Sequence, residues 1–383
     1  MLLKYGCNPH QTFADLEPLA EAPFTLLQGK PSVINILDAL NGWQLVRELH
    51  ASLGTVAAAS FKHVSPAGVG LAVPLTAELA DCYGVARVEL TDTALAYVRA
   101  RGADPKSSFG DFVAVSEVVD IATARVLKGV VSDGIIAPGY EPEALQLLRG
   151  KKNGTFIILA ADPGFAPPSR EGRELFGVRI TQDRNAHVFG KADLTSVVCG
   201  ALSADAQRDL VLGLTTLKYT QSNSVGYSMD GQMIGIGAGQ QSRVDCTKLA
   251  GSKADTWQLQ RHPSVRALSF HEGVRPQERI NWRVRFIEGD MVASEHRAFQ
   301  EALTKPAPAF SVEDRRTFLA EVRGVCLVSD GFIPFRDNID HAARHGVSYI
   351  AQPGGSTRDG EVTAACQEYG MAMVHTGIRA FHH

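Results

Sequence analysis

Apolar and polar positions follow two rhythms along this chain. Short apolar, β-branched runs flanked by Gly or polar residues predict strands. They fall at Thr55–Ser60, Phe112–Val115, Gly134–Ala137, Thr155–Leu159, Val225–Tyr227, Gln232–Ile236, Val325–Ser329, Ser348–Ile350 and Ala372–Thr376. Longer stretches, with apolar residues three and four apart, predict helices. These are Ile34–Leu49, Thr91–Arg101, Ile121–Leu127, Ala204–Leu217, Ser242–Arg261, Gln277–Phe286, Val312–Val322, Asp337–His345 and Val362–Tyr369.

Strands that alternate with helices predict an α/β fold with a largely buried sheet. Asp230–Gly231, between two short strands, predicts a tight hairpin turn. The Pro-, Gly- and charge-rich segment Gly164–Gly177 is the expected boundary or long excursion between two α/β halves. Thr304–Phe310 holds two prolines and is expected to join helices. No tandem repeat and no low-complexity tract is visible.

Composition narrows the class. The 383 residues are 45% hydrophobic and 21% charged, enough for a full core without disulfide or metal staples. A net charge of −3 disfavours a nucleic-acid partner, so an anionic ligand must meet local basic groups. The six cysteines form no C-x-x-C pair and read as reduced, partly buried thiols of a cytoplasmic protein. The N-terminus is too short in apolar residues for a signal peptide, and no run approaches the roughly 18 apolar residues of a membrane span.

Four segments carry candidate chemistry. Phe61-Lys62-His63-Val64-Ser65-Pro66-Ala67-Gly68 follows a predicted strand, at the kind of sheet edge where ligands bind. The Ser-Pro-Ala-Gly stretch is expected to be a rigid small-residue turn; the alternative is a surface Lys with a His capping the loop. Thr220 to Ser224 is a run of five polar residues between helix and strand. It reads either as an ordinary polar loop or as oxygens that hold a weakly charged cation or orient a carbonyl. Gly235 to Arg243 is expected to bring a strand through a Gly-rich turn to a helix start near Ser242, where backbone N–H groups and Arg243 favour an anion. It lacks the spacing of a dinucleotide fingerprint or a P-loop, which disfavours nicotinamide and ATP enzymes. The C-terminal region combines Ser329 to Asn338, Gln352 to Asp359 and a terminal Thr376 to His383, whose His-His is expected to pack inward. No zinc-deaminase signature and no Ser-hydrolase elbow occurs.

Together these segments resemble the formyltransferase family that acts on aminoimidazole carboxamide ribonucleotide (AICAR), usually fused to inosinate cyclohydrolase. The resemblance rests on KYGCNPHQ at 4–11, FKHVSPAG at 61–68, SSFGDFVAVS at 107–116, SDGIIAPGYEPEAL at 132–145 and KKNGTF at 151–156. It continues through LKYTQSNSV at 217–225, GIGAGQQSRVDCTKLAG at 235–251, PFRDN at 334–338 and the final FHH. It implies mixed sheets flanked by helices in two zinc-free, cytidine-deaminase-like halves. These would be residues 1–180 and 181–383, the second with a helical insertion at about 255–322. It further implies a homodimer with shared active sites.

The implied reaction passes a formyl group from 10-formyltetrahydrofolate to the 5-amino group of AICAR, giving FAICAR and tetrahydrofolate. By resemblance His63 is the general base, Lys62 the cationic partner and Asn223 the oxyanion and substrate contact. Further substrate contacts fall on Lys4, Tyr5, Gly110, Asp133, Arg243, Phe332 and Arg379, with Arg379 and Arg243 suited to a phosphate. The folate falls near Val244, Asp337, Ser356 and Thr357. A structural potassium falls near Thr220, Ser222, Ser224, Asp330 and His382.

Two departures stand out. Lys4 occupies a position where many relatives have Arg. The cyclohydrolase segment is absent, so a separate inosinate cyclohydrolase is expected. The competing readings are a non-catalytic nucleotide- or folate-binding module and, further off, a zinc hydrolase of the deaminase type.

Overall fold

The computed structural model describes all residues, 1–383. The first stretch runs β1 (Phe24–Gln28), α1 (Val33–Leu53), β2 (Ala57–Lys62), β3 (Ser65–Leu71), α2 (Ala77–Cys82), α3 (Asp92–Ala103), β4 (Asp111–Val115), α4 (Ile121–Lys128), β5 (Ser132–Ala137), α5 (Pro142–Arg149) and β6 (Ile157–Ala161). A hairpin of β7 (Arg170–Leu175) and β8 (Val178–Asp183) follows. The chain then continues through β9 (Val197–Cys199), α6 (Ala204–Leu217), β10 (Val225–Met229), β11 (Gln232–Gly237) and α7 (Arg243–Leu259). Four helices come next: α8 (Pro263–Arg266), α9 (Pro276–Glu288), α10 (Ala293–Ala302) and α11 (Val312–Ala320). The last elements are β12 (Val325–Ser329), α12 (Asp337–Ala343), β13 (Val347–Gln352), α13 (Asp359–Glu368) and β14 (Ala372–His375).

Twelve strands form one mixed sheet, in the order β1-β6-β5-β4-β2-β3-β11-β10-β12-β13-β14-β9. The mixed sheets expected, flanked by helices, run on as one: two series of strands share a seam, where Gln232 pairs with Gly70 and Leu71 N–H donates to Gly231 O. About that seam the topology repeats. The order β3-β2-β4-β5-β6-β1 matches β11-β10-β12-β13-β14-β9, with the same parallel and antiparallel sense at each step. The repeat lies in the chain path and not in the residues, so the sequence does not show it.

The central strands are buried along nearly their whole length, as a sheet covered on both faces requires, and successive side chains enter opposite cores. On β12, Val325 and Leu327 join the core beneath α7, α12 and α13, while Cys326 and Val328 face α6. Helices α1 and α6 cover one face. They are tied together by Lys218 Nζ, 2.7 Å from a Glu48 oxygen, and by the Tyr219 hydroxyl, which donates to Glu48 at 2.8 Å. Helix α1 starts where it does because Ser32 and Asn35 form a reciprocal cap.

Two expectations about glycine and proline are corrected. Ser65-Pro66-Ala67-Gly68 is not a turn but the start of β3. Its glycines serve packing: a Cβ on Gly68 would lie 2.1 Å from Ala100 O of α3. Gly235, inside the expected strand Gln232–Ile236, does lie within β11, where its Cβ would lie 2.1 Å from Ala250 O of α7. The second half of Gly164–Gly177 is also not irregular. It forms β7, paired only with β8, and nearly all residues of this outlying hairpin are exposed.

Candidate functional site

The topology gathers the chemistry-bearing segments at one edge of the sheet. The β2–β3 turn lies there, as do the N-terminal ends of β4, β5 and β6 and of helix α1. Across the seam the same edge holds the start of β10 and the C-terminal ends of β11, β12, β13 and β14. The rule that ligands meet the carboxyl ends of strands describes the second series well. The first series meets it only at β2 and β1.

Lys62 ends β2 and is half-buried, with Nζ donating to Phe109 O beside Gly110. His63 is exposed at φ 54°, and Val64 follows at φ 62°. Val64 N–H donates to Oδ1 of Asp38 on α1 at 2.7 Å. Asp38 is 5% exposed, and its burial pushes the carboxyl up to about 7, with the charges of Asp133 and Asp111 adding to the rise. Nothing in its helical setting marked it in the sequence.

Across the seam, Gln221 N–H lies 3.5 Å from Ser65 Oγ, which links the turn to the Thr220–Ser224 loop. Asn223 is held from several sides. Its amide donates to Gln240 O at 3.1 Å and Gln241 O at 3.3 Å, and its Oδ1 accepts from Arg243 Nη2 at 2.9 Å. Its carbonyl accepts from Cys246 Sγ at 3.0 Å. Burial raises that thiol to about 11, so it stays a donor at neutral pH.

Arg243, expected to be a substrate contact suited to a phosphate, opens α7 with its guanidinium engaged within the protein. The side chain is buried and engaged by Asp330, Ser329 Oγ at 2.9 Å and Asn223. Asp330 is fully buried; its Oδ2 accepts from Ser222 Oγ at 2.7 Å, Ser224 N at 2.8 Å and Ser224 Oγ at 3.0 Å.

Ser222, Ser224 and Asp330 therefore form one connected oxygen cluster. His382 joins it through its backbone, with N–H donating to Ser222 Oγ and C=O accepting from Ser222 N–H, each at 2.9 Å. Thr220 Oγ1 instead donates to Thr216 O. The inward packing expected for the terminal pair holds for His382; His383 is exposed. No group of three or more His, Cys, Asp or Glu side chains is arranged to hold a metal ion.

The remaining candidates line the same edge without touching His63. Lys4 and Arg379 are exposed, stack on Tyr5 and Phe381, and have no carboxylate partner. Tyr5 O accepts from Val33 N–H at the start of α1. Gly110 takes φ 77° just before β4. Asp133 pairs with Lys152 Nζ at 2.6 Å. Phe332 is 46% exposed. Val244 and Asp337 sit in the first turns of α7 and α12, and Ser356 and Thr357 in the loop after β13.

Comparison with known proteins bears on this arrangement. A family model described as AICARFT/IMPCHase bienzyme matches residues 1–253. The "Bifunctional purine biosynthesis protein PurH" of Magnetococcus marinus is 32% identical over 390 residues, covering 100% of this chain and 59% of the relative. The proteins of the same description from Roseobacter denitrificans and Xylella fastidiosa are each 33% identical, with 59% and 58% of their lengths covered. The chain thus spans less than two thirds of these relatives. With the family model matching well over half of it, this chain belongs to the AICARFT/IMPCHase bienzyme family.

Proposed function

We propose that this chain is an enzyme of purine biosynthesis that transfers a formyl group from 10-formyltetrahydrofolate to the 5-amino group of AICAR. Its relatives are described as bifunctional purine biosynthesis proteins, which supports the pathway. The observation that carries the reaction is the convergence at one sheet edge of an exposed His63, the neighbouring Lys62 and a tethered Asn223.

An amine conjugated to an imidazole carboxamide is a weak nucleophile. Loss of its proton to His63, as it attacks the formyl carbon, lowers the barrier, and imidazole titrates near neutral pH. The tetrahedral intermediate carries an oxyanion; Lys62 supplies a donor to it, and the Asn223 amide joins by turning from Gln240 O and Gln241 O. Collapse passes the C–N electron pair back to the folate nitrogen, which leaves with a proton as tetrahydrofolate. No covalent enzyme intermediate forms.

Arg379 and Lys4, both free of carboxylates, suit the nucleotide phosphate; Arg243 acts through Asn223. Tyr5, Gly110, Asp133 and Phe332 complete the substrate contacts, and Val244, Asp337, Ser356 and Thr357 take the folate. The oxygen cluster of Ser222, Ser224 and Asp330 fits a potassium ion, with Thr220 and His382 beside it; the ion would hold the Asn223 loop. The repeated topology fits two cytidine-deaminase-like halves, 1–180 and 181–383, with the helices of about 255–322 as an insertion. Exposed Phe109 and Phe332 at the same edge fit a homodimer that completes the site.

Purified protein supplied with AICAR and 10-formyltetrahydrofolate is expected to release tetrahydrofolate. His63→Ala is expected to bind AICAR but to turn over about 10²–10⁴-fold more slowly. Robust turnover by that variant would remove His63 from the chemistry. Tight AICAR binding by the wild-type chain with no product would favour a binding module instead.

A further inference from the structure

The two hairpins related by the repeated topology are built by the same device. In the β10–β11 turn, Asp230 and Gly231 take φ 52° and 72°; in the β2–β3 turn, His63 and Val64 take 54° and 62°. Positive φ at both central residues is the primed turn that matches strand twist, and Asp-Gly is a favoured sequence for it. In each case a buried aspartate on the preceding helix accepts from the N–H of the second turn residue. Asp209 Oδ1 lies 2.8 Å from Gly231 N, and Asp38 Oδ1 lies 2.7 Å from Val64 N.

The copies differ in two respects. The far turn has glycine where φ is positive, and its Asp209 is neutralised by Arg208, at 2.9 and 3.1 Å. The turn at the candidate site has a β-branched valine there, a conformation such residues rarely adopt. Its Asp38 has no cationic partner. The charged groups that bear on it are Asp111 at the start of β4 and Asp133 at the start of β5, both acids already paired, with Arg101 and Lys152. A buried carboxylate with no counter-charge is costly, and so is a strained valine. Both occur together where the turn carries His63.

We propose that Asp38 is a positioning residue: its carboxylate, anchored on α1, tethers the Val64 N–H and thereby holds the strained His63–Val64 turn in the conformation that presents Lys62 and His63 to the substrate. This rests on His63 being the reacting base. Without the tether the turn relaxes, and a displacement of about 1 Å at such a group costs about 100-fold in rate.

The test is a kinetic series on the full chain, with hydrogen–deuterium exchange across residues 61–66 as a readout independent of activity. Asp38→Ala is expected to lower kcat about 10- to 100-fold, with KM for AICAR within about twofold and exchange at the turn accelerated. Asp38→Asn keeps an acceptor oxygen and is expected to recover most of kcat. Adding Val64→Gly to Asp38→Ala is expected to recover kcat as well, because glycine adopts the turn without a tether. Asp209→Ala, the equivalent change at the far turn, is expected to lower Tm and leave kcat unchanged.

Wild-type kcat in Asp38→Ala overturns the proposal, as does equal loss of kcat in Asp209→Ala. If Asp38→Ala does not fold, Asp38→Asn decides: a loss of kcat with unchanged exchange at the turn overturns the tether. A wild-type chain that fails to transfer formyl overturns the proposed reaction, while slower exchange in wild type than in Asp38→Ala still upholds the tether.

Discussion

The two series of strands share a topology and differ in what they bring to the site edge. The first presents a hairpin turn and the starts of parallel strands; the second presents the loops after the ends of parallel strands. Their buried ion pairs sharpen the contrast. In the first series Arg101 meets Asp111 at 3.0 Å, and Asp111 also accepts from Ser60 Oγ at 2.7 Å, all inside the fold. In the second, Arg243 meets Asp330 and extends its other nitrogen to Asn223. One pair closes on itself, while the other reaches the proposed reacting centre. A repeated fold can thus give scaffold and function to equivalent-looking parts.

Alanine at Asp111 and at Asp330 tests this most strongly. Each change strands a buried guanidinium and is expected to cost about 3–5 kcal/mol, read as a fall in the denaturant midpoint. Only Asp330→Ala is expected also to weaken AICAR binding beyond what lost stability explains, because Asn223 loses its anchor. Equal effects of the two on binding would erase the distinction between the pairs.

Asp38 gives a pH-dependent test of the first series. Its carboxyl titrates at about 7 in the fold, against roughly 3.9 in the unfolded chain. The raised value means that the fold disfavours the charged form. Its favourable contribution is full below about pH 4 and is lost as pH rises through 7. Asp38→Asn cannot ionise, so its stability relative to wild type is expected to rise between pH 4 and 8, by on the order of a few kcal/mol. A difference that stays flat across that range would show that the carboxyl is not held out of its usual range.

The smallest effect concerns the turns themselves. Val64→Gly is expected to stabilise the chain by about 1 kcal/mol through relief of a positive φ. Gly231→Val is expected to destabilise it, since a Cβ there would also lie 2.5 Å from Val73 Cγ2. Thermal unfolding that ranks the two variants the other way would place the strain in the wrong hairpin.

The parts of the fold legible in the sequence were those with an apolar face. All nine expected strands and all nine expected helices form, and every one of them except α11 buries side chains. Strand β3 was hidden by Pro66, Gly68 and Gly70, residues that usually end strands; here the glycines let α3 approach. Strands β7 and β8 were hidden because they bury almost nothing. The site segments were legible as polar runs at the ends of strands. What holds them was not: Asp38 lies inside a helix, 26 residues from Val64, whereas Asp209 lies 22 from Gly231. Contacts made at unequal spacing leave no periodic trace.

The seam between β3 and β11 has a consequence for synthesis. Strands β1 to β6 all lie within residues 24–161, so every other pairing of the first series is available before the second series leaves the ribosome. The seam is the pairing that must wait. The apolar layer under β2, β3 and β4 also waits, since Leu212, Tyr219, Met233 and Ile236 complete it. A nascent chain of this protein therefore carries an apolar face covered by α1 alone for the time it takes to translate about 50–75 more residues, several seconds at typical elongation rates. That interval is when a chaperone has most to hold.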